Sequence, residues 1–262
     1  MPKASASDLL LRESGRGPRL ILVHGSLATA HSAFAAQEEL ERDHRLVWIE
    51  RRGAGVTPGV GPVDFAVDAR DLGALLDEPA HMIGHSYGAI GCLLAALARP
   101  EKVRGLVLIE PPFYRAAADH AAVRALLPRL EAVYRAADPA RPAEYWESFR
   151  SALGYPQGSP SPRFSGWREC ACAAMTERPP WEASLPGVVD PSLGPKVLIV
   201  SGDWARAPEE ARRLGGAALR AVADALAHSL GSARLTVPGA SHAAQHRATE
   251  FNQAVRAHLA RQ

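Results

Sequence analysis

The residue type best suited to chemistry in this chain is a serine, Ser86, set in Gly84-His85-Ser86-Tyr87-Gly88. A serine hydroxyl is a weak nucleophile at neutral pH. It attacks a carbonyl carbon only when a base lies within hydrogen-bond reach and a further group orients that base. The two glycines suit a tight strand-to-helix turn. The serine takes a strained backbone conformation there, and the absent side chains let strand and helix close on each other. The five-residue pattern also occurs as a plain turn, so its meaning depends on flanking structure and on partners elsewhere in the chain.

The flanks fit the turn. His81-Met82-Ile83 is an apolar stretch suited to a buried strand, and Ala89 to Ala98 is a strong helix former closed by Arg99-Pro100. The hydroxyl then projects from the end of a sheet, and the first N–H groups of the helix face any negative charge formed beside it. Around this unit the chain alternates strands and helices. Strands are expected at Arg19–Gly25, His44–Glu50, Val103–Glu110, Lys196–Asp203 and Ala233–Val237. Helices are expected at Ala28–Arg42, Phe65–Asp77, Pro208–Leu230 and Glu250–Ala260. Such alternation implies a mostly parallel sheet covered on both faces. Between Pro111 and Pro195 the strand signals stop. Helical runs at Ala121–Ala137, Ala143–Leu153 and Trp167–Thr176 read as a helical insertion, since a structureless loop of that length is foreign to a compact domain. The expected organisation is a core of residues 1–111 and 195–262 with an insertion over 112–194.

Composition narrows the function classes. The chain has 262 residues, 47% of them hydrophobic, and a formal net charge of +2 with its basic residues scattered. That argues against a nucleic-acid partner. No apolar run approaches the roughly 20 residues of a membrane span, and Met1–Asp8 lacks the apolar core of a secretory signal. Three cysteines make no disulfide framework, and Cys170-x-Cys172 has the wrong spacing for a zinc knuckle. A cytoplasmic compartment is expected, with no metal or organic cofactor; oligomeric state is open.

Taken in order, these motifs resemble the α/β-hydrolase superfamily along roughly Leu20 to Leu259. His24-Gly25 is similar to that family's oxyanion turn, and Glu50-Arg51-Arg52-Gly53-Ala54-Gly55 to its Asp-Arg-Arg-Gly-x-Gly segment, with Glu50 in place of Asp. Gly84 to Gly88 resembles its nucleophile elbow. His242, after the last strand, stands where the family places its catalytic histidine, and the 112–194 insertion resembles its cap. The departure is the acid. Many members carry Asp three residues after the glycine ending the penultimate strand, and that position is Ala205 here.

The resemblance implies an α/β-hydrolase fold and a serine-nucleophile enzyme. Ser86 is the expected nucleophile and His242 the expected base, since imidazole titrates near working pH. Glu110, at the end of the strand after the elbow helix, is the preferred acid because of its reach; Asp203 is the alternative. Both fall at the carboxyl edge, where ligands bind in open α/β sheets. The oxyanion hole is expected from the backbone N–H of Tyr87 and of Ser26, with Leu27 as alternative to Ser26. His24 is read as a brace for the turn, His85 as a neighbour shaping the pocket, and His246 as belonging to the following helix. Phe113, Tyr114, Tyr134, Tyr145, Trp146, Phe149, Trp167 and Trp181 are candidates for an apolar substrate wall. His85, Phe113, Tyr114, Trp146 and Trp167 are the favoured pocket residues. The expected activity is hydrolysis of an ester, thioester or lactone of a moderately apolar small molecule. The alternatives are a cofactor-free C–C hydrolase, lyase or cyclase, or a ligand-binding protein that has lost turnover.

Overall fold

The computed structural model describes residues 9–53, 63–158, 164–187 and 189–262. Met1–Asp8, and Ala54 and Gly55 of the arginine-containing motif, lie outside them. Among the described residues seven strands form one sheet: β1 (Leu10–Gly15), β2 (Arg19–Val23), β3 (Arg45–Glu50), β4 (Ala80–His85), β5 (Val103–Ile109), β6 (Val197–Gly202) and β7 (Ala233–Val237). Their spatial order is β1-β3-β2-β4-β5-β6-β7. All neighbours run parallel except β1, which pairs antiparallel with β3.

The strands from β2 to β6 are apolar almost throughout because both faces are covered, as in parallel sheets generally. Ile21, Val23, Met82, Leu106 and Leu108 face one core. It is completed by α2 (Phe65–Leu75), α3 (Tyr87–Ala98) and, further along the chain, α8 (Ala217–Leu230). Leu20, Leu22, Ile83, Val107 and Ile109 face a second core, closed by α1 (Ala30–Phe34) and α9 (Ala248–Leu259). Three helices lie in sequence between β5 and β6: α4 (Ala121–Arg135), α5 (Pro142–Ala152) and α6 (Trp167–Ala174). Among the described residues no helix is long and apolar enough to cross a membrane.

The parallel register fixes the site's location. Val23 pairs with Gly84, His85 with Ile109, Ile109 with Val200, and Gly202 with Val237. The carboxyl ends of β2, β4, β5, β6 and β7 therefore share one edge, which brings together His24, Ser86, Glu110, Asp203 and the loop leading to His242.

Three elements differ from the sequence expectation. The helix expected over Ala28–Arg42 is the short α1 followed by a 3-10 helix over Ala35–Arg42. β1 carries no alternating signal, and Leu10 and Leu11 are exposed. Its position comes from the ladder to β3 and from side-chain contacts, among them an Arg12–Glu38 pair at 3.3 Å and two contacts with Trp48. Arg12 lies over the Trp48 ring at 4.5 Å, and the Trp48 indole N–H donates to Ser14 Oγ at 3.1 Å. The helix expected over Pro208–Leu230 is divided into α7 (Glu209–Ala211), a π turn over Arg212–Gly216, and α8. Within that turn the Gly215 N–H donates to the carbonyl of Leu153 at 3.3 Å, so it is engaged with the inserted segment.

Candidate active site

Ser86 is the N-cap of α3, with φ 50° and ψ −123°. A non-glycine residue at positive φ is a strained conformation that its surroundings must hold. Here the Ser86 N–H donates to the Ile109 carbonyl at 2.8 Å, and the Ser86 carbonyl accepts from the Ala89 N–H at 2.9 Å. The flanking glycines answer close approaches. A Cβ on Gly84 would lie 2.7 Å from Ala89 Cα, and one on Gly88 would lie 2.7 Å from the Val23 carbonyl oxygen. Any larger residue would push strand and helix apart and move the serine. Gly25 lies directly against Ser86 on the opposite side.

His242 Nε2 lies 3.0 Å from Ser86 Oγ. On the other side of the ring, Nδ1 lies 3.9 Å from Glu110 Oε2. That is ion-pair range, about 1 Å longer than a hydrogen bond. Glu110 is completely buried. Its Oε1 accepts from the Gly202 N–H at 2.8 Å and from the Trp204 indole N–H at 3.2 Å. Its Oε2, like His242 Nδ1, has no hydrogen-bond partner among the described residues. A buried carboxylate oxygen without a donor is costly, and here the nearest cation-forming group facing it is the imidazole. Catalytic hydrogen bonds are often long in an empty site and tighten with substrate.

Asp203, the alternative acid, sits otherwise. It is half-buried, and one carboxylate oxygen accepts from the Ala205 N–H at 2.9 Å and the Gly239 N–H at 3.0 Å. Those two backbone donors hold its carboxyl below the usual carboxylate range. It ties together the loops after β6 and β7, and among its described contacts none is with His242.

The histidines are distinct in role. The His85 Nε2–H donates to the backbone carbonyl of His242 at 3.0 Å, and the two rings lie 5.0 Å apart. Burial, then the nearby His242, push the His85 pKa well down, so the ring is a neutral brace beneath His242. The His24 ring bridges the Gly25 carbonyl at 2.8 Å and the Arg51 N–H at 3.2 Å, spanning the turns after β2 and β3. With Nδ1 as donor and Nε2 as acceptor both contacts are satisfied. His246 falls in a 3-10 turn before α9, one element earlier than expected.

Tyr87 opens α3, so its N–H has no partner within the helix. Its phenol accepts from the Phe65 N–H at 3.3 Å and donates to the Arg178 carbonyl at 2.9 Å. Ser26 and Leu27 form the turn after β2, with Leu27 at φ 58°.

Ser26, Ser86, Tyr87 and His242 line a narrow cavity completed by Pro112, Tyr114, Leu130, Tyr134, Phe149, Leu153, Pro180 and Leu219. Its free space, about 20 Å³, is about the size of one water, so side chains of the wall must shift to admit a substrate. Of the five favoured pocket residues only Tyr114 lines it; four need correction. His85 lies behind His242. Phe113 alternates away from Pro112 and Tyr114 and is buried in the core. Trp146 packs on Phe164 and Trp167, with ring centroids 6.3 and 6.2 Å apart, which takes both tryptophans into the inserted segment's own packing. Tyr134 and Phe149, also considered as wall residues, do line the cavity.

Two participants carry no sequence signal. Trp204, at φ 59° and fully buried, anchors Glu110. Glu177, buried after α6, accepts a hydrogen bond from the Ser26 hydroxyl. Trp204 adjoins the strand end at Gly202, but nothing in the sequence marks its contact with Glu110, and nothing marks that of Glu177 with Ser26.

An elbow serine, a histidine after the last strand and a carboxylate on one edge of a parallel sheet define a hydrolase-like class of protein. Residues 20–254 match the sequence model of the Alpha/beta hydrolase family, and the chain belongs to that family. It is 30% identical over 100 residues to a pimeloyl-[acyl-carrier protein] methyl ester esterase of Aeromonas hydrophila subsp. hydrophila, a stretch covering 36% of this chain and 38% of that one. It is 32% identical over 116 residues to the polyketide synthase ThaQ of Burkholderia thailandensis, covering 42% of this chain and 5% of that one. The chain thus matches less than half the length of either relative. Among solved structures, an α/β hydrolase from Sphaerobacter thermophilus superposes with TM-score 0.62 at 21% identity, covering 94% of this chain and 95% of that one. A marine microorganism esterase superposes with TM-score 0.61 at 18% identity, covering 95% and 98%. At these identities the likeness is one of fold.

Proposed function

We propose that this protein is a serine hydrolase that cleaves an ester, thioester or lactone of a moderately apolar small molecule through an acyl-enzyme. The observation that carries the reading is the line from Ser86 Oγ through His242 to the orphaned Glu110 Oε2, with spacings of 3.0 and 3.9 Å. Ser86 Oγ bonds to the carbonyl carbon as its proton passes to His242 Nε2, and the carbonyl electron pair moves onto oxygen. The backbone N–H of Tyr87 and that of Ser26, or of Leu27 beside it, hold the oxyanion. Each donor of this kind contributes a few kcal/mol to transition-state stabilisation. Collapse expels the leaving oxygen or sulfur, which takes the proton from His242. Water then repeats the sequence at the acyl carbon and releases the acid and Ser86. Glu110 Oε2 closes on Nδ1 as the imidazolium forms and fixes the ring. Relatives named as esterases support the same class.

The cavity wall supports the substrate class. Tyr114, Leu130, Tyr134, Phe149, Leu153 and Pro180 reach over Ser86 from the segment between β5 and β6. We therefore read 112–194 as a cap on a core of 1–111 and 195–262. The free thiols of Cys92, Cys170 and Cys172 suit a reducing, cytoplasmic compartment.

The test is intact-mass analysis after treatment with a small fluorophosphonate, on the parent and on Ser86→Ala. One adduct on the parent and none on the variant is the expected result. No adduct on the parent, or the same adduct on both, would overturn the reading.

A further inference from the structure

A buried charged cluster lies beside the oxyanion turn, and the reaction above does not use it. Arg51, which follows β3, donates through Nε to Asp68 on α2 at 2.8 Å. Both its terminal nitrogens lie 3.2 Å from Glu177 Oε1. The guanidinium also lies over the Tyr87 ring at 4.4 Å. All three charged side chains are almost wholly buried. Glu177 keeps its other oxygen, Oε2, for the Ser26 hydroxyl proton. Ser26 is 151 residues away in sequence, in the turn that carries the expected oxyanion N–H.

We infer that Glu177 is a positioning residue, which holds the oxyanion turn in register with Ser86 by accepting the Ser26 hydroxyl while Arg51 anchors its other oxygen. The inference rests on the reading of Ser86 as nucleophile. The turn needs such a tether, because Leu27 sits at φ 58°, a conformation that persists only where neighbours over-determine it. With its proton committed to Glu177, the Ser26 Oγ turns lone pairs toward the cavity. The oxyanion is then served by backbone N–H groups, and the Ser26 hydroxyl is not one of the donors. The tether also joins the proposed cap to the core at the reacting centre: Glu177 comes from the inserted segment, and Ser26 and Arg51 from the loops after β2 and β3.

The test uses the full-length protein with p-nitrophenyl acetate, and compares Glu177→Gln, Ser26→Ala and the double variant. Glu177→Gln leaves one guanidinium to one carboxylate in the cluster, and its single amide oxygen cannot accept from Arg51 and from Ser26 at once. Ser26→Ala leaves every charge in place, and the thermal midpoint of each variant checks its folding. Each single variant is expected to lower kcat about 10- to 100-fold with KM within about twofold, since the oxyanion contact exists mainly in the transition state. The double variant is expected to lose no more than the worse single one. The fluorophosphonate labelling rate of Ser86 should fall in parallel. Two results would overturn the inference. One is a folded Glu177→Gln with parental kcat, which makes the cluster structural only. The other is a loss in Ser26→Ala that Glu177→Gln does not share, which makes the hydroxyl itself the donor. A parent that neither labels at Ser86 nor hydrolyses the ester would instead overturn the serine-hydrolase reading, and this inference with it.

Discussion

Glu110 and Asp203 end neighbouring strands at the same edge of the sheet, and they are in opposite states. The Glu110 N–H donates to the Val200 carbonyl at 2.9 Å, and since Ile109 pairs with Val200, Asp203 lies a short way further toward the same edge than Glu110. Glu110 is fully buried and holds one oxygen without a donor, 3.9 Å from the imidazole. Asp203 is half in solvent, and two loop N–H groups converge on one of its oxygens while water can reach the carboxylate. On the proposed reading, position at the sheet edge does not select the acid; hydrogen-bond accounting does. A structural carboxylate has its acceptors filled by neighbours that never change. One that serves an imidazolium keeps a lone pair for a charge present only during turnover.

The largest expected effect tests that assignment directly. Glu110→Gln should lower kcat about 10³- to 10⁴-fold with little change in KM, read by steady-state hydrolysis of p-nitrophenyl acetate. Asp203→Asn should stay within about threefold of the parent. A large loss confined to Asp203→Asn would move the acid to the end of β6. Next in size is the indole that holds Glu110 in place. Trp204→Phe removes one of the two donors to Oε1 and keeps most of the ring volume. Loss of a hydrogen bond to a buried carboxylate corresponds to about tenfold in kcat, and an unchanged kcat would mean that the Gly202 N–H alone fixes the acid.

A second pair, His85 and His242, sharpens the same distinction at smaller scale. His85→Phe deletes the donor to the His242 carbonyl, and kcat should fall about threefold to tenfold. Burial keeps the His85 ring neutral across the working range. The acid limb of kcat/KM should therefore lie at the same pH in parent and variant. A displaced limb would make His85, and not His242, the group whose protonation stops the reaction.

The sequence made the frame readable because it is built from contiguous signals. The apolar runs of β2 to β6 had to be strands covered on both faces, and Gly84 to Gly88 had to be a tight turn with a serine at its tip. β1 escaped notice because an edge strand with exposed Leu10 and Leu11 buries too little to leave a pattern. The cavity wall was legible in composition but not in orientation. Tyr114, Tyr134 and Phe149 face Ser86, whereas Phe113, Trp146 and Trp167 face the interior of the fold or of the inserted segment. Aromatic type records a need for burial and not its direction. Trp204 and Glu177 act through tertiary contacts spanning 94 and 151 residues, distances at which spacing carries no information.

The smallest expected effect separates stability from catalysis at the two carboxylates. Folding lowers the Asp203 pKa through its backbone donors. A carboxyl whose folded value lies below its unfolded one stabilises the protein fully above the unfolded value, about 3.8, and loses that contribution as pH falls through the folded value. The group is largely solvated, so the contribution is screened to about 1 kcal/mol or less. Asp203→Asn keeps an acceptor and removes the charge. Its thermal midpoint should sit slightly below the parent's at pH 6, and the gap should close as the pH falls through the lowered folded-state value. Glu110→Gln should show the opposite balance. Removing a buried charge relieves a desolvation cost, so its midpoint at pH 6 should equal or exceed the parent's although kcat has collapsed. A midpoint that falls in Glu110→Gln while Asp203→Asn keeps the parental one would mean that Glu110 is held for the fold. The orphaned oxygen facing His242 would then lose its claim to the reaction.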